Sequence, residues 1–286
     1  MIDLCAVGDI HWLLVLSVPR IPLPGEMLLV KTVERLPGND ATIVSLQAAS
    51  LGRACCLLAT NAIALHDGRL LIEKLQRAGV DTSLIDTGAA FTPATFFLQH
   101  LSLDERVGLT EDSAFRRTLS PDQLPPCRFA YVDLYDEHFT ERLALLQHWS
   151  QAGVRVLVNL SASHPEEKIA QLAALPAIDT VQMRGQGSVQ EALRWGQRLQ
   201  QQCRAQALLM TLGGVGMVLV EPHTSCFVAA EPVQPLRTIG AGASFSAGFL
   251  SALLGGSTYQ EAALFASRHA ATFCTSISNP LEVVRE

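Results

Sequence analysis

Between residues 129 and 211 the chain alternates short apolar runs with longer segments, and that rhythm limits the folds open to it. Residues 129–134, 154–160, 180–183 and 207–211 have the length and apolar density of strands buried on both faces. Residues 137–152, 165–174 and 189–202, between them, are long enough for helices. Repeated strand–helix–strand units build a parallel sheet covered on both faces, with right-handed crossovers. The fold class expected is α/β, a doubly wound and mostly parallel sheet flanked by helices.

The first part of the chain departs from that rhythm twice. An apolar run at residues 4–7 ends in Gly8-Asp9, the pattern of a buried first strand turning out at its carboxyl end. Residues 13–17 and 27–34 then read as strands joined through Pro19, Pro22, Pro24 and Gly25. So proline-rich a connection suits a hairpin-like excursion better than a crossover helix. Residues 95–101 and 106–109 form a second expected hairpin around Asp104-Glu105. The two excursions predict a small β-lid from about residues 12–36 and 94–110, within one domain spanning 1–286. A helix is expected over 40–51 after the Pro37-Gly38-Asn39 turn, a strand over 55–59 and a helix over 70–78 closed by Gly79. A hairpin over 215–220 and 225–229 precedes two final helices, 242–254 and 258–276, apolar enough to be buried.

Composition excludes several classes. With 286 residues, 49% hydrophobic and 17% charged, the chain can fill a large core. A net charge of −6 without a basic run argues against nucleic acid or an anionic membrane as partner. No stretch approaches the roughly 20 apolar residues of a membrane span, and residues 1–8 lack the regions of a signal peptide. A cytoplasmic setting is expected, with the seven cysteines as reduced, mostly buried thiols. The eight histidines are scattered, and no metal-ligand constellation is expected.

Chemistry concentrates in Arg237-Thr238-Ile239-Gly240-Ala241-Gly242-Ala243-Ser244-Phe245. Gly240 and Gly242 allow a tight turn into a helix whose first amides lack intrahelical partners. Gly240, Ala241 and Gly242 thus form a candidate anion hole, since free N–H groups and the positive end of the helix dipole converge there. Thr211-Leu212-Gly213 stands at a strand end, a place for nucleotide contact or simply a turn. Asp9 and His11 fall at the carboxyl edge where open α/β sheets bind ligands. Asn39 and Asp40 open a helix, where Asn39 can cap as well as bind. Arg184 and Arg237 can meet phosphate or lie at the surface.

The glycine turn resembles the signature Asp-Thr-x-Gly-Ala-Gly-Asp-x-Phe of the ribokinase-like (PfkB) carbohydrate kinases. Three other segments fit the same order: Pro22-Leu23-Pro24-Gly25-Glu26, Leu75-Gln76-Arg77-Ala78-Gly79-Val80-Asp81-Thr82 and Thr211-Leu212-Gly213-Gly214-Val215-Gly216. The resemblance implies a ribokinase-like sheet with a β-lid, a sugar or nucleoside substrate, and ATP with Mg²⁺. It assigns nucleotide contact to Thr211, Gly213 and Gly216, and substrate contact to Asp9, Gly38, Asn39 and Asp40. Ala243 takes the position of the family's catalytic base, and a methyl group cannot accept a proton.

Ala243 is one of several departures from the family's pattern. Arg237 stands for the signature's first aspartate. Leu13 and Ile43 occupy positions where the family binds sugar, and Gly38-Asn39 stands for a Gly-Gly pair. Met183-Arg184-Gly185-Gln186 lacks the carboxylate of the family's Asn-x-x-Glu, which organises the metal, and Asn159 stands where many members carry Asp. The function expected is that of a carbohydrate-kinase-family protein with weak or lost phosphoryl transfer. The alternatives are a non-catalytic binder of a nucleotide or sugar-like metabolite, and a structural partner. The resemblance also implies a homodimer through the lid, for which the apolar run 12–18 is suited.

Overall fold

The computed structural model describes residues 1–103, 105–111, 116–117, 119–135, 139–161, 165–175 and 178–276. Strand β1 (Ile2–Gly8) lies deep in the molecule because its side chains alternate between two apolar layers: Leu4 and Ala6 enter one, Cys5 and Val7 the other. It pairs in parallel with β4 (Cys55–Ala59) on one side and with β7 (Cys127–Tyr135) on the other. Parallel pairing continues outward through β8 (Arg155–Ser161), β9 (Thr180–Arg184) and β10 (Ala207–Thr211). The antiparallel strands β11 (Gly216–Val220) and β12 (Ser225–Ala229) complete an eight-stranded sheet of order β12-β11-β10-β9-β8-β7-β1-β4. The mostly parallel α/β sheet expected from the alternation is therefore present.

Chain direction across the sheet reverses at β1. From there one connection leads to β4 and a later one to β7, so a switch point opens between β1 and β7 at their carboxyl ends. One face is covered by α1 (Asp40–Ser50), α2 (Leu65–Arg77), α6 (Ala241–Leu254) and α7 (Tyr259–Thr275). The other is covered by α3 (Phe139–Gln151), α4 (Pro165–Leu172) and α5 (Val189–Cys203). Phe249, fully buried on α6, stacks between Phe245 and Tyr259 with ring centroids 6.3 Å away on each side. Helix α6 is apolar nearly all round and buried accordingly, whereas α7 leaves Leu264 and Phe265 exposed and buries only one side.

A second sheet has the order β3-β2-β5-β6, from β2 (His11–Val18), β3 (Thr32–Gly38), β5 (Ala94–His100) and β6 (Arg106–Thr110). Both excursions fold as antiparallel pairs, joined by the parallel pairing of β2 with β5. Strand β3 begins at Thr32 rather than at 27, because residues 24–31 form a mostly exposed turn-and-coil stretch with Met27 and Leu29 in solvent. Helix α2 begins at Leu65, five residues earlier than its apolar periodicity indicated, since its first turn is polar. Asp104 and the expected helix start at 137–138 lie outside the described residues. The inward face of this sheet carries Leu13, Val15 and Phe97, with Arg106 in the same set of alternate positions. The run 12–18 is largely consumed by the fold, Trp12 being 2% exposed, and the open apolar face instead presents Val33, Val107 and Leu109.

Candidate active site

On the face covered by α1 and α6, the carboxyl ends of β7 to β10 carry a polar row. Alternation along each strand sends Asp133 and Tyr135, Asn159, Gln182 and Arg184, and Thr211 to this face, while their neighbours Val132, Val158, Met183 and Met210 enter the opposite core. The N-termini of α1 and α6 meet over the row. Gly240 has φ +90°, and a Cβ there would stand 3.4 Å from Ile43 Cδ1 and 3.0 Å from the Phe273 ring, so α1 and α7 fix the turn.

Past that turn, Ser244 N–H returns to Gly240 O at 2.9 Å and Ala241 N–H to Thr238 O at 3.2 Å. Among the described residues the amides of Gly242 and Ala243 donate to no backbone carbonyl outside the helix. A Cβ on Gly242 would meet nothing within 4 Å, so the helix start at Gly242 borders open space. Such amides at the start of a 14-residue helix are suited to an anion. Ser246 Oγ, one turn on, lies 2.9 Å from Gln182 Oε1 and ties α6 to β9. Ala243 itself is 2% exposed, its methyl group part of the core.

At the switch point stands a carboxyl pair, Asp40 and Asp133. The Asp133 side chain accepts from Ala41 N–H at 3.0 Å and from the Tyr131 hydroxyl at 2.7 Å. Asp40 Oδ2 accepts from the Tyr135 hydroxyl at 3.2 Å and from Asn159 Nδ2 at 3.0 Å, and the same Nδ2 lies 3.5 Å from Asp133 Oδ1. Burial, then the charge of Asp40, pushes the Asp133 carboxyl up to about 7, against the opposing pull of Arg142. Burial also raises Asp40, and the bonds from Tyr135 and Asn159 oppose that rise. Two carboxyls so placed titrate as a pair and hold a proton near neutrality. Asp40 was a candidate from sequence. Asp133 was missed, although a charged residue inside the apolar run of β7 was its visible signal.

Close backbone approach makes the pair possible. A Cβ on Gly8 would fall 2.6 Å from both Ala41 Cβ and Asp133 Oδ2, so only glycine lets α1 start against β1. Gly38 is equally crowded, with Leu13 Cβ 2.8 Å from the position of an added Cβ. Asn39 adopts φ 73° and ψ 150°, a region almost reserved for glycine, and its Oδ1 accepts from Asp40 N–H at 2.8 Å. The chain keeps a Gly-Gly-like geometry with a non-glycine residue, and its capping role is also real.

The remaining candidates separate. Gly213 has φ +59° and Gly214 is open, so the Thr211-Leu212-Gly213 turn borders solvent beside Arg184, whose neighbour Gly185 donates to Thr211 O. Gly216 serves the β11–β12 pairing, because a Cβ there would lie 2.2 Å from Val228 O. Arg237 donates to the carbonyls of Phe273 and Ser276 at the end of α7. Asp9 is bound by the Thr60 hydroxyl and by Arg142 Nη2 at 3.2 Å, and it lines a cavity of about 270 Å³ with Arg116, Arg117 and Arg142 near the start of α3. His11 Nδ1 lies 3.2 Å from Thr95 Oγ1. Burial holds the thiols of Cys55 and Cys127 above their ordinary range, and a hydrogen bond with Cys56, then burial, does the same for Cys5, so none is primed as a nucleophile.

The described residues contain no group of three or more His, Cys, Asp or Glu able to hold an ion, and the carboxyl groups at the site are the pair Asp40 and Asp133 at the switch point. At the end of β9, where the resemblance locates a metal-organising carboxylate, stands the guanidinium of Arg184. Mg²⁺ requires oxygen ligands, so this donor set does not fit it. No helix among the described residues is long and apolar enough to cross a membrane.

A family described as pfkB family carbohydrate kinases matches residues 1–279. Ribokinase from Cryptococcus neoformans var. grubii serotype A, solved with ADP, is similar at 18% identity over 99% of this chain and 97% of that one, with a TM-score of 0.80. Arabidopsis thaliana ribokinase, complexed with ribose and ATP, matches at 18% identity over 98% and 95%, with a TM-score of 0.79. The nucleoside kinase of Methanocaldococcus jannaschii matches at 15% identity over 99% and 95%, with a TM-score of 0.75. No curated protein sequence matches the chain significantly.

Proposed function

Because the chain belongs to the pfkB family of carbohydrate kinases, we propose that it binds a nucleotide at the α6 turn but transfers phosphate weakly or not at all. One observation carries this reading: α6 opens at Gly242 against open space with its first amides unused by backbone carbonyls outside the helix, yet Ala243 presents a buried methyl where the family's base is expected. The amides need no side chain to bind phosphate, whereas proton removal does. Solved relatives bind ADP, or ribose and ATP, which supports ATP or ADP as ligand here and a sugar-like metabolite beside Asp40.

The test combines binding with turnover. ADP and ATP are expected to raise the melting temperature, as any ligand of the folded state does, while ATP-dependent phosphorylation of ribose, fructose or nucleosides stays at background. Robust turnover on any of them overturns the loss of catalysis. Absence of a melting shift at millimolar nucleotide favours the structural-partner alternative.

That alternative has an observation of its own. The small sheet reads as the lid of a single domain, and its outward face exposes Val33, Val107 and Leu109 around the half-buried Leu14, Leu16, Phe96 and Leu98. This apolar face supports self-association as a homodimer, measurable as protein-concentration-dependent mass. Thiols that are free and mostly buried favour a reducing compartment such as the cytoplasm.

A further inference from the structure

We propose that Arg184, assisted by Arg106 from the small sheet, supplies the positive charge at the phosphate site, so that this protein binds nucleotide without a divalent metal. The proposal rests on the nucleotide-binding reading above and concerns how the charge is neutralised.

Geometry locates Arg184. It follows Gln182 by two residues on β9, so the two side chains leave the same face of the sheet. Gln182 reaches Ser246 on α6, and Ser246 Oγ is 3.0 Å from Gly242 O, inside the anion-binding turn. Arg184 therefore leaves β9 one step nearer the carboxyl edge, on the α6 face, beside the Thr211 end of β10. It has no hydrogen bond or ion pair among the described residues and is exposed, so the fold does not use its charge.

Arg106 belongs to the small sheet. It occupies the inward set of positions on β6, with its guanidinium carbon 5.6 Å from the Phe97 ring centroid. Partial burial, then the charge of Arg184, holds this guanidinium below its ordinary value, and Asp40 opposes that drop. Two guanidiniums within electrostatic reach of one another repel, and an anion between them relieves the repulsion. Guanidinium groups also match phosphate oxygens with a rigid fork of donors. The α6 amides, Arg184 and Arg106 then each offer positive charge to a phosphate, and neither guanidinium is an oxygen donor for Mg²⁺.

Calorimetric titration of the full chain with ADP, in EDTA and then in millimolar MgCl2, tests this. The dissociation constant is expected to agree within about twofold between the two conditions. Arg184→Gln should weaken ADP by roughly ten- to a hundredfold, the worth of a charge-assisted hydrogen bond, and Arg106→Gln by about tenfold or less. Unchanged melting temperatures without ligand show that both variants fold. Binding that requires Mg²⁺ overturns the proposal and leaves the nucleotide reading standing, as does unchanged affinity in Arg184→Gln. Failure of ADP to bind in either condition overturns both.

Discussion

The two ends of the polar row differ in what they are made of. At the α6 end the site is backbone: the left-handed Gly240, the amides of Gly242 and Ala243, and the open turn at Gly213. At the switch-point end it is side chain: Asp40, Asp133, Tyr135 and Asn159 in one hydrogen-bonded cluster. The α6 end matches the family's signature in its glycines, while the switch-point end presents groups that the signature does not specify. Backbone geometry depends on a few glycines and on helix placement, so side-chain replacement leaves it intact. A chemistry that needs one particular carboxylate is erased by a single methyl group.

Substitutions can break that contrast, beginning with the glycines. Gly216→Ala drives a methyl into Val228 O, and unfolding should become easier by about 3 kcal/mol or more. Gly213→Ala, in open space at φ +59°, should cost only about 1 kcal/mol. Denaturant melts of both check this, and equal costs would dissolve the assignment of Gly216 to the fold and Gly213 to the exposed turn.

The carboxyl pair gives the next effect. The folded-state value of Asp133 is raised to about 7, above its unfolded value near 4. The native state thus binds the extra proton, and the stability linked to it is full below about pH 4 and lost as pH rises through about 7. Asp133→Asn removes this dependence while keeping an acceptor for Tyr131 or Ala41. Above pH 7 the variant should exceed the parent by a few kcal/mol at most, with a flatter stability curve from pH 5 to 8. A parent curve that rises over that range contradicts the shared proton.

Asn39 gives the smallest effect. Its backbone strain is of the order of 1–3 kcal/mol, partly offset by its cap, so Asn39→Gly should gain about 1 kcal/mol. A loss of stability would mean that the cap outweighs the strain.

Much of this was legible in the sequence because it follows from local pattern. The strands of the large sheet and the α6 turn announce themselves by apolar length and by glycine. What was hidden depended on distant segments meeting. Asp133 becomes a site residue only because β7 flanks β1 at the switch point and Gly8 admits α1. Arg237 could meet phosphate or lie at the surface on sequence alone, and the end of α7 gives it carbonyl partners, while the steric demand of β12 on Gly216 was not visible in the motif. The polar start of α2 hid a full turn for the same reason: Thr92, from a distant segment, bonds Ala64 and Asp67 where that helix begins.

The most direct measurement of the central claim is phosphoryl transfer from ATP by the purified full chain, followed with a panel of sugars and nucleosides and compared with Ala243→Asp. The parent should show no turnover above background. Ala243→Asp should remain near background too, because Leu13 and Ile43 stand at positions to which the resemblance assigns sugar contact. Robust turnover by the parent would contradict the account, by showing that another group removes the proton that Ala243 cannot.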